Sequence, residues 1–155
     1  MATKPQSQVL DRANRVIVEE LQRDGRRPYG AIAETVGLSE AAVRQRVQRL
    51  RESGIIDIVA VTDPLQLGFR RQAMVGVRAE GDLRTVADEL TRIAEVEYVV
   101  ICAGSFDLLV EVVCEDDDRL LELLNTSIRA VRGVRSTEVF VYLKLAKQSF
   151  TWGTR

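Results

Sequence analysis

The sequence predicts an α+β chain of two units, all-helical in front and mixed behind. Three observations carry this. Apolar residues recur at helical spacing as far as residue 50; beyond residue 55 they form short strand-like runs separated by two further helical stripes; and the charge balance changes sign between the two parts. Residues 1–54 hold 10 of the 22 Lys and Arg against 7 of the 23 Asp and Glu, a balance of +3, which leaves the rest at −4. A basic front and an acidic back suggest different partners.

In the front unit, Leu10, Ala13, Val16, Ile17 and Leu21 lie on one helical face behind Asp11, an N-cap candidate, and Gly25 is placed to end the helix. Pro28 leads into a short helix, 30–36, with Ile32, Ala33 and Val36 inward. After Gly37 and Leu38, Ser39 is the N-cap of a third helix, 40–53, striped by Val43, Val47 and Leu50 and stopped by Gly54. In the rear unit, 55–61 reads as a strand, and Asp63 and Pro64 break it before a connection to residue 70. There follow strand 72–80, helix 82–94, strands 96–103 and 106–114, helix 117–132 and strand 134–145. Strand, helix, strand, strand, helix, strand is the ferredoxin-like order, which puts both helices on one face of a four-stranded antiparallel sheet. The expected organisation is a unit at 1–54, a strand and linker at 55–70 and the ferredoxin-like unit at 71–155.

Composition narrows the function. The chain has no histidine, which removes the commonest general base and zinc ligand, so it is read as a non-enzyme without cofactor or metal. No apolar run approaches the length of a membrane span, and MATKPQSQ lacks the apolar core of a signal peptide; the expectation is a cytoplasmic protein with no membrane partner. Cys102 and Cys114 fall too far apart across the expected hairpin for a disulfide and are read as small buried hydrophobes.

Residues 30–50 carry a helix-turn-helix pattern: Ala33 where two helices cross closely, Gly37 at the turn, and Val43 plugging the core between them. With Val43, Val47 and Leu50 inward, the outward arc of the third helix collects Ala41, Arg44, Gln45, Gln48 and Arg49. Arginine pairs bidentately with guanine and glutamine with adenine, and a helix fits the major groove of double-stranded DNA. Ser39 opens that helix; Arg26, Arg27, Tyr29, Arg46 and Arg51 are placed to meet phosphates. The bland alternative is a solvated helix face.

The last strand, TEVFVYLKLA, is apolar on both faces: Val139, Val141, Leu143 and Leu145 alternate with Phe140, Tyr142 and Lys144. Whichever face meets the helices, the other still carries large apolar groups, which calls for a second copy across a two-fold axis or for cover by the tail SFTWGTR.

Taken in order, LDRANRVIVEELQRDGR, AIAETVGLSEAAVRQRVQRLRESGII, DPLQLG and AGSFDLLVEV resemble the Lrp/AsnC family of transcription regulators over nearly the whole chain. The resemblance implies a winged-helix-type helix-turn-helix domain and a ferredoxin-like (RAM/ACT-like) domain that dimerises, assembles further to tetramers or octamers and binds a small effector, usually an amino acid. It also implies an effector cleft at the turn Gly104, Ser105, Phe106 and Asp107, where many relatives carry Asp or Asn in place of Ser105. A glycine turn can offer N–H groups to a carboxylate and Asp107 can pair with an ammonium, with Ile101 and Tyr142 shaping the side-chain pocket. The turn equally suits a purely structural role, with Asp107 bonding neighbouring backbone. Siroheme decarboxylases share the two-domain layout but depend on histidine in the site, which this chain lacks.

Overall fold

The computed structural model describes residues 10–154, and MATKPQSQ lies outside them. The chain divides into two compact units, residues 10–60 with 147–154 and residues 61–146.

The first unit holds α1 (Arg12–Arg23), α2 (Tyr29–Val36) and α3 (Glu40–Glu52). Both expected N-caps form: the Asp11 carboxylate accepts from the Asn14 N–H, and the Ser39 hydroxyl from that of Ala42. Asp24, one residue before the expected glycine, caps the C-terminus of α1. Gly37 takes the left-handed conformation (φ 68°) that turns the chain between α2 and α3. Ile17, Val18, Leu21, Ile32, Ala33, Val43, Val47 and Leu50 form the core.

Two expectations fail here. Residues 55–61 form no strand, although the stretch is β-prone; Val59 and Val61 are exposed, and no strand of the described chain lies alongside to complete a ladder. The tail does not belong with 71–146. It packs on α1, where the Gln22 side chain exchanges two hydrogen bonds with the Gly153 backbone (3.1 and 3.5 Å) and the Thr154 hydroxyl donates to Glu19 (2.6 Å). Gly153 lies at φ 75°, which favours glycine at this bend.

The second unit is an antiparallel sheet in the order β2-β3-β1-β4, built from β1 (Arg71–Ala79), β2 (Val96–Ile101), β3 (Leu108–Cys114) and β4 (Val134–Val141). α4 (Leu83–Leu90) and α5 (Asp117–Glu122) cross over between strands, and a one-turn 3₁₀ segment, Pro64–Leu67, precedes β1. The second crossover is not one regular helix: α5 widens into a π-helical turn, Leu123–Ile128, whose Leu123, Leu124 and Ile128 are all buried. Ala73, Val75, Val77, Leu108, Val110 and Val112 face Val86, Leu90, Leu120, Leu124 and Ile128 in one core. Cys114 belongs to that core and its burial pushes the thiol pKa up; Cys102 is only half-buried, its thiol donating to the Phe106 carbonyl. Both cysteines are free.

The opposite sheet face is largely apolar, with Gln72, Glu111 and Glu138 among its positions. Met74, Leu109, Val100, Tyr98 and Phe140 alternate with the core positions in the strand register, and Tyr98 and Phe140 are 51% and 45% exposed.

Candidate nucleic-acid interface and effector turn

In the first unit, Ser39, Ala41, Arg44, Gln45, Gln48 and Arg49 are exposed together along α3 while Val43, Val47 and Leu50 are buried behind them. Grooves flank the helix on both sides. One is lined by Tyr29, Arg44, Val47, Gln48, Arg51, Glu52 and Asp57, the other by Asp11, Asn14, Leu38, Ala42, Gln45, Arg46 and Arg49.

The cations around α3 fall into different roles. Arg44 is held at 2.8 Å by Glu40, one turn earlier, and lies 5.4 Å from the centre of the Tyr29 ring. Gln48 donates to Glu52 at 2.8 Å. Among the described residues, no side-chain partner meets Gln45, Arg49 or Arg51, and Arg26 is exposed with only its backbone N–H bonded, to Asp24. Arg27 is engaged inside the unit: its Nε lies 2.7 Å from a carboxylate oxygen of the buried Glu20, as an ion pair outside hydrogen-bond geometry. Arg46, placed among the phosphate contacts by its sequence position, reaches α1 and bonds Asp11 and Asn14.

In the second unit, Gly104, Ser105, Phe106 and Asp107 connect β2 to β3 and fold against the end of β1. The Asp107 N–H donates to the Val77 carbonyl (2.9 Å), and its Oδ2 accepts from the Ala79 N–H (2.8 Å) where the β1–β4 register shifts. Its Oδ1 has no partner among the described residues. The Ser105 carbonyl accepts from Arg78 Nε (3.0 Å), and the Arg78 guanidinium lies 4.9 Å from the Phe106 ring centre. Phe106 lies over Gly76, where a Cβ would meet its ring at 2.7 Å, and packs edge-on to Phe140 at 6.1 Å. Gly76 and Arg78 escape the sequence reading, which has Phe140 only as a residue of the last strand, although a glycine amid the apolar run AMVGV signals close approach of another group.

Ile101 pairs with Leu108 at the base of the turn and is 44% exposed. Tyr142 is not brought to the turn within one chain: its N–H donates to Gln72 near the opposite end of β1, about 20 Å away at strand rise. Burial, then its contact with Glu111, pushes the Tyr142 phenol up to about 12. Gly104 needs no special backbone there; its φ is not positive, and a Cβ would meet nothing within 4 Å.

The AsnC-type helix-turn-helix domain matches residues 10–51, and the C-terminal dimeric alpha+beta barrel domain of AsnC-type regulators matches 69–155. HTH-type transcriptional regulator FL11 of Pyrococcus furiosus is 31% identical over 143 residues, 91% of this chain and 94% of its own length. The leucine response regulatory protein LrpA of Mycobacterium tuberculosis superposes with a TM-score of 0.80 at 30% identity, over 90% of this chain and 96% of that one. The regulator NMB0573 of Neisseria meningitidis, crystallised as a complex with L-Met, shares the fold at TM-score 0.78 and 22% identity, over 92% and 95% of the two chains. A helix-turn-helix with an exposed basic arc, a ferredoxin-like domain of the dimeric kind and relatives matched almost end to end place the chain in the AsnC/Lrp family of DNA-binding transcription regulators.

Proposed function

We propose that the protein is a cytoplasmic, non-enzymatic regulator that binds double-stranded DNA as a dimer or larger assembly and responds to an amino acid. Arg44, Gln45 and Gln48 read base edges, Arg49 flanks them, and Arg26, Tyr29 and Arg51 meet the phosphates. The observation that carries this is the single arc on which α3 exposes Arg44, Gln45, Gln48 and Arg49 while its other side is buried. Gel shifts on the protein's own upstream region, at stated salt, test it. Arg44→Ala is expected to weaken that binding by about 1–3 kcal/mol while sparing unrelated DNA. Equal losses on both would make Arg44 a phosphate contact, and no binding by the wild type would end the DNA reading.

The effector reading rests on the turn. Asp107 keeps Oδ1 available for an ammonium, and Gly104 leaves open space beside exposed backbone that nothing in the fold requires. The L-Met complex of the Neisseria regulator is a precedent for an amino acid on this fold. A melting-temperature screen against the twenty amino acids is expected to show one or two that stabilise the wild type in a concentration-dependent way. Asp107→Ala also strips the Ala79 N–H of its acceptor, so Gly104→Thr, which fills the open space, is the cleaner control. A panel with no stabilising ligand would make the turn structural.

A further inference from the structure

Of the arginines on α3, Arg46 is the one whose side chain hydrogen-bonds to the start of α1 among the described residues. Its guanidinium donates to Asp11 Oδ2 at 2.6 Å and to Asn14 Oδ1 at 2.9 Å, and its side chain is 29% exposed. Asp11 is also the N-cap of α1, its Oδ1 accepting from the Asn14 N–H at 2.7 Å. The Asn14 N–H and then the Arg46 guanidinium hold the Asp11 carboxyl below its ordinary pKa, so the brace is charged near neutrality. Among the described residues this is the one ion pair that joins α3 to another helix. The rest of the α1–α3 packing is aliphatic, through Ile17, Val18 and Leu21 against Val43, Val47 and Leu50. Aliphatic packing is non-directional and tolerates small slides and rotations, whereas the hydrogen bonds among Arg46, Asp11 and Asn14 are directional. Base readout depends on the register of α3 in the groove.

We propose that Arg46 is a positioning residue for DNA recognition and not a DNA contact: with Asp11 and Asn14 it fixes the rotation and height of α3 against the N-terminus of α1. The proposal rests on the DNA-binding reading of α3. It makes a sign prediction that electrostatics alone reverses. Removing the Asp11 charge lowers repulsion with DNA and should tighten binding, whereas loss of the brace weakens it.

Asp11→Asn is the informative variant, because Asn is as good an N-cap and α1 keeps its start. Its Oδ1 still accepts from Asn14, but its NH₂ then faces the Arg46 guanidinium, donor against donor. Arg46→Met, Asp11→Asn and the double variant are to be titrated against the protein's upstream fragment and an unrelated duplex of equal length, over a range of salt, with circular dichroism confirming the fold. On the upstream fragment each single variant is expected to weaken binding about tenfold, and the double variant no more than either. Affinity for the unrelated duplex and the salt slope stay unchanged, since no phosphate contact is lost.

Arg46→Met weakening both duplexes alike, with a shallower salt slope, would make Arg46 a phosphate contact and overturn the proposal. So would Asp11→Asn binding as tightly as the wild type, or more tightly. If Arg46→Met fails to fold, Asp11→Asn decides alone. A wild type that binds neither duplex overturns the DNA reading and the proposal with it, an outcome distinct from wild-type binding with an indifferent Asp11→Asn.

Discussion

The two surfaces offered to partners are built on opposite principles. In the helical unit, the polar groups differ in how far the fold has already satisfied them: Glu20 engages Arg27, Asp11 engages Arg46, Glu40 steadies Arg44, and Gln45 and Arg49 are left with no side-chain partner among the described residues. The open sheet face is mainly apolar, with Gln72, Glu111 and Glu138 as its polar positions. It presents Tyr98, Phe140 and neighbouring aliphatics, with Phe106 plugged over Gly76, and its attraction for a partner scales with the apolar area removed from water. A charged surface can therefore be dissected one side chain at a time, whereas an apolar one responds mainly to a group that cannot be buried.

That contrast is sharpest at Phe140. Phe140→Glu puts a carboxylate where a copy of the same face would bury it, at a cost of several kcal/mol, and is expected to leave a monomer by light scattering at concentrations where the wild type is dimeric. A persisting dimer would move the interface off this face. Next in size, Gly76→Val forces the Phe106 ring out of place and should destabilise the second unit by about 1–3 kcal/mol. In a double-mutant cycle by thermal unfolding, Phe106→Ala should recover part of that loss, since the clash is with the ring.

In the first unit, Arg27→Ala leaves the buried Glu20 carboxylate with only Arg23, at an expected cost of about 1–3 kcal/mol by thermal unfolding. Arg49→Ala should stay within about 0.5 kcal/mol in stability and show its effect only on DNA. Equal stability losses would erase the division between internal and outward arginines. The smallest effect belongs to acid. A carboxyl whose folded pKa is depressed adds stability that is present above its unfolded value and lost as pH falls through the folded one. The melting temperature of the first unit should therefore begin to fall below about pH 4 through Asp11, and Asp11→Asn should flatten that part of the slope.

Periodicity made the helices and strands legible because each buries one face against its own chain, as Val43, Val47 and Leu50 do in α3 and Val75 and Val77 in β1. Residues 55–61 misled for the complementary reason: strand propensity becomes strand only where a ladder partner exists, and the described chain supplies none. The π-turn after α5 was hidden because apolar spacing of three and four residues fits either helix type. At the interface, the helical wheel placed the outward arc correctly, yet could not separate Arg46 from Arg49. The difference lies in carboxylates and amides on α1, more than thirty positions away in sequence. Asp107 was legible as a polar residue at a turn; that its Oδ2 serves the Ala79 N–H depends on a register shift no local pattern announces.

The return of the tail to α1 bears on modular exchange. The gene segment that encodes the three helices is not the whole physical unit, because Gly153 and Thr154 complete the outer side of α1 from the far end of the chain. A chimaera made by swapping only the first sixty residues between relatives would join one protein's α1 to another protein's tail, across a seam of side-chain-to-backbone bonds at Gln22 and a hydroxyl-to-carboxylate bond at Glu19. Both ends have to travel together for the helical unit to be transplanted intact.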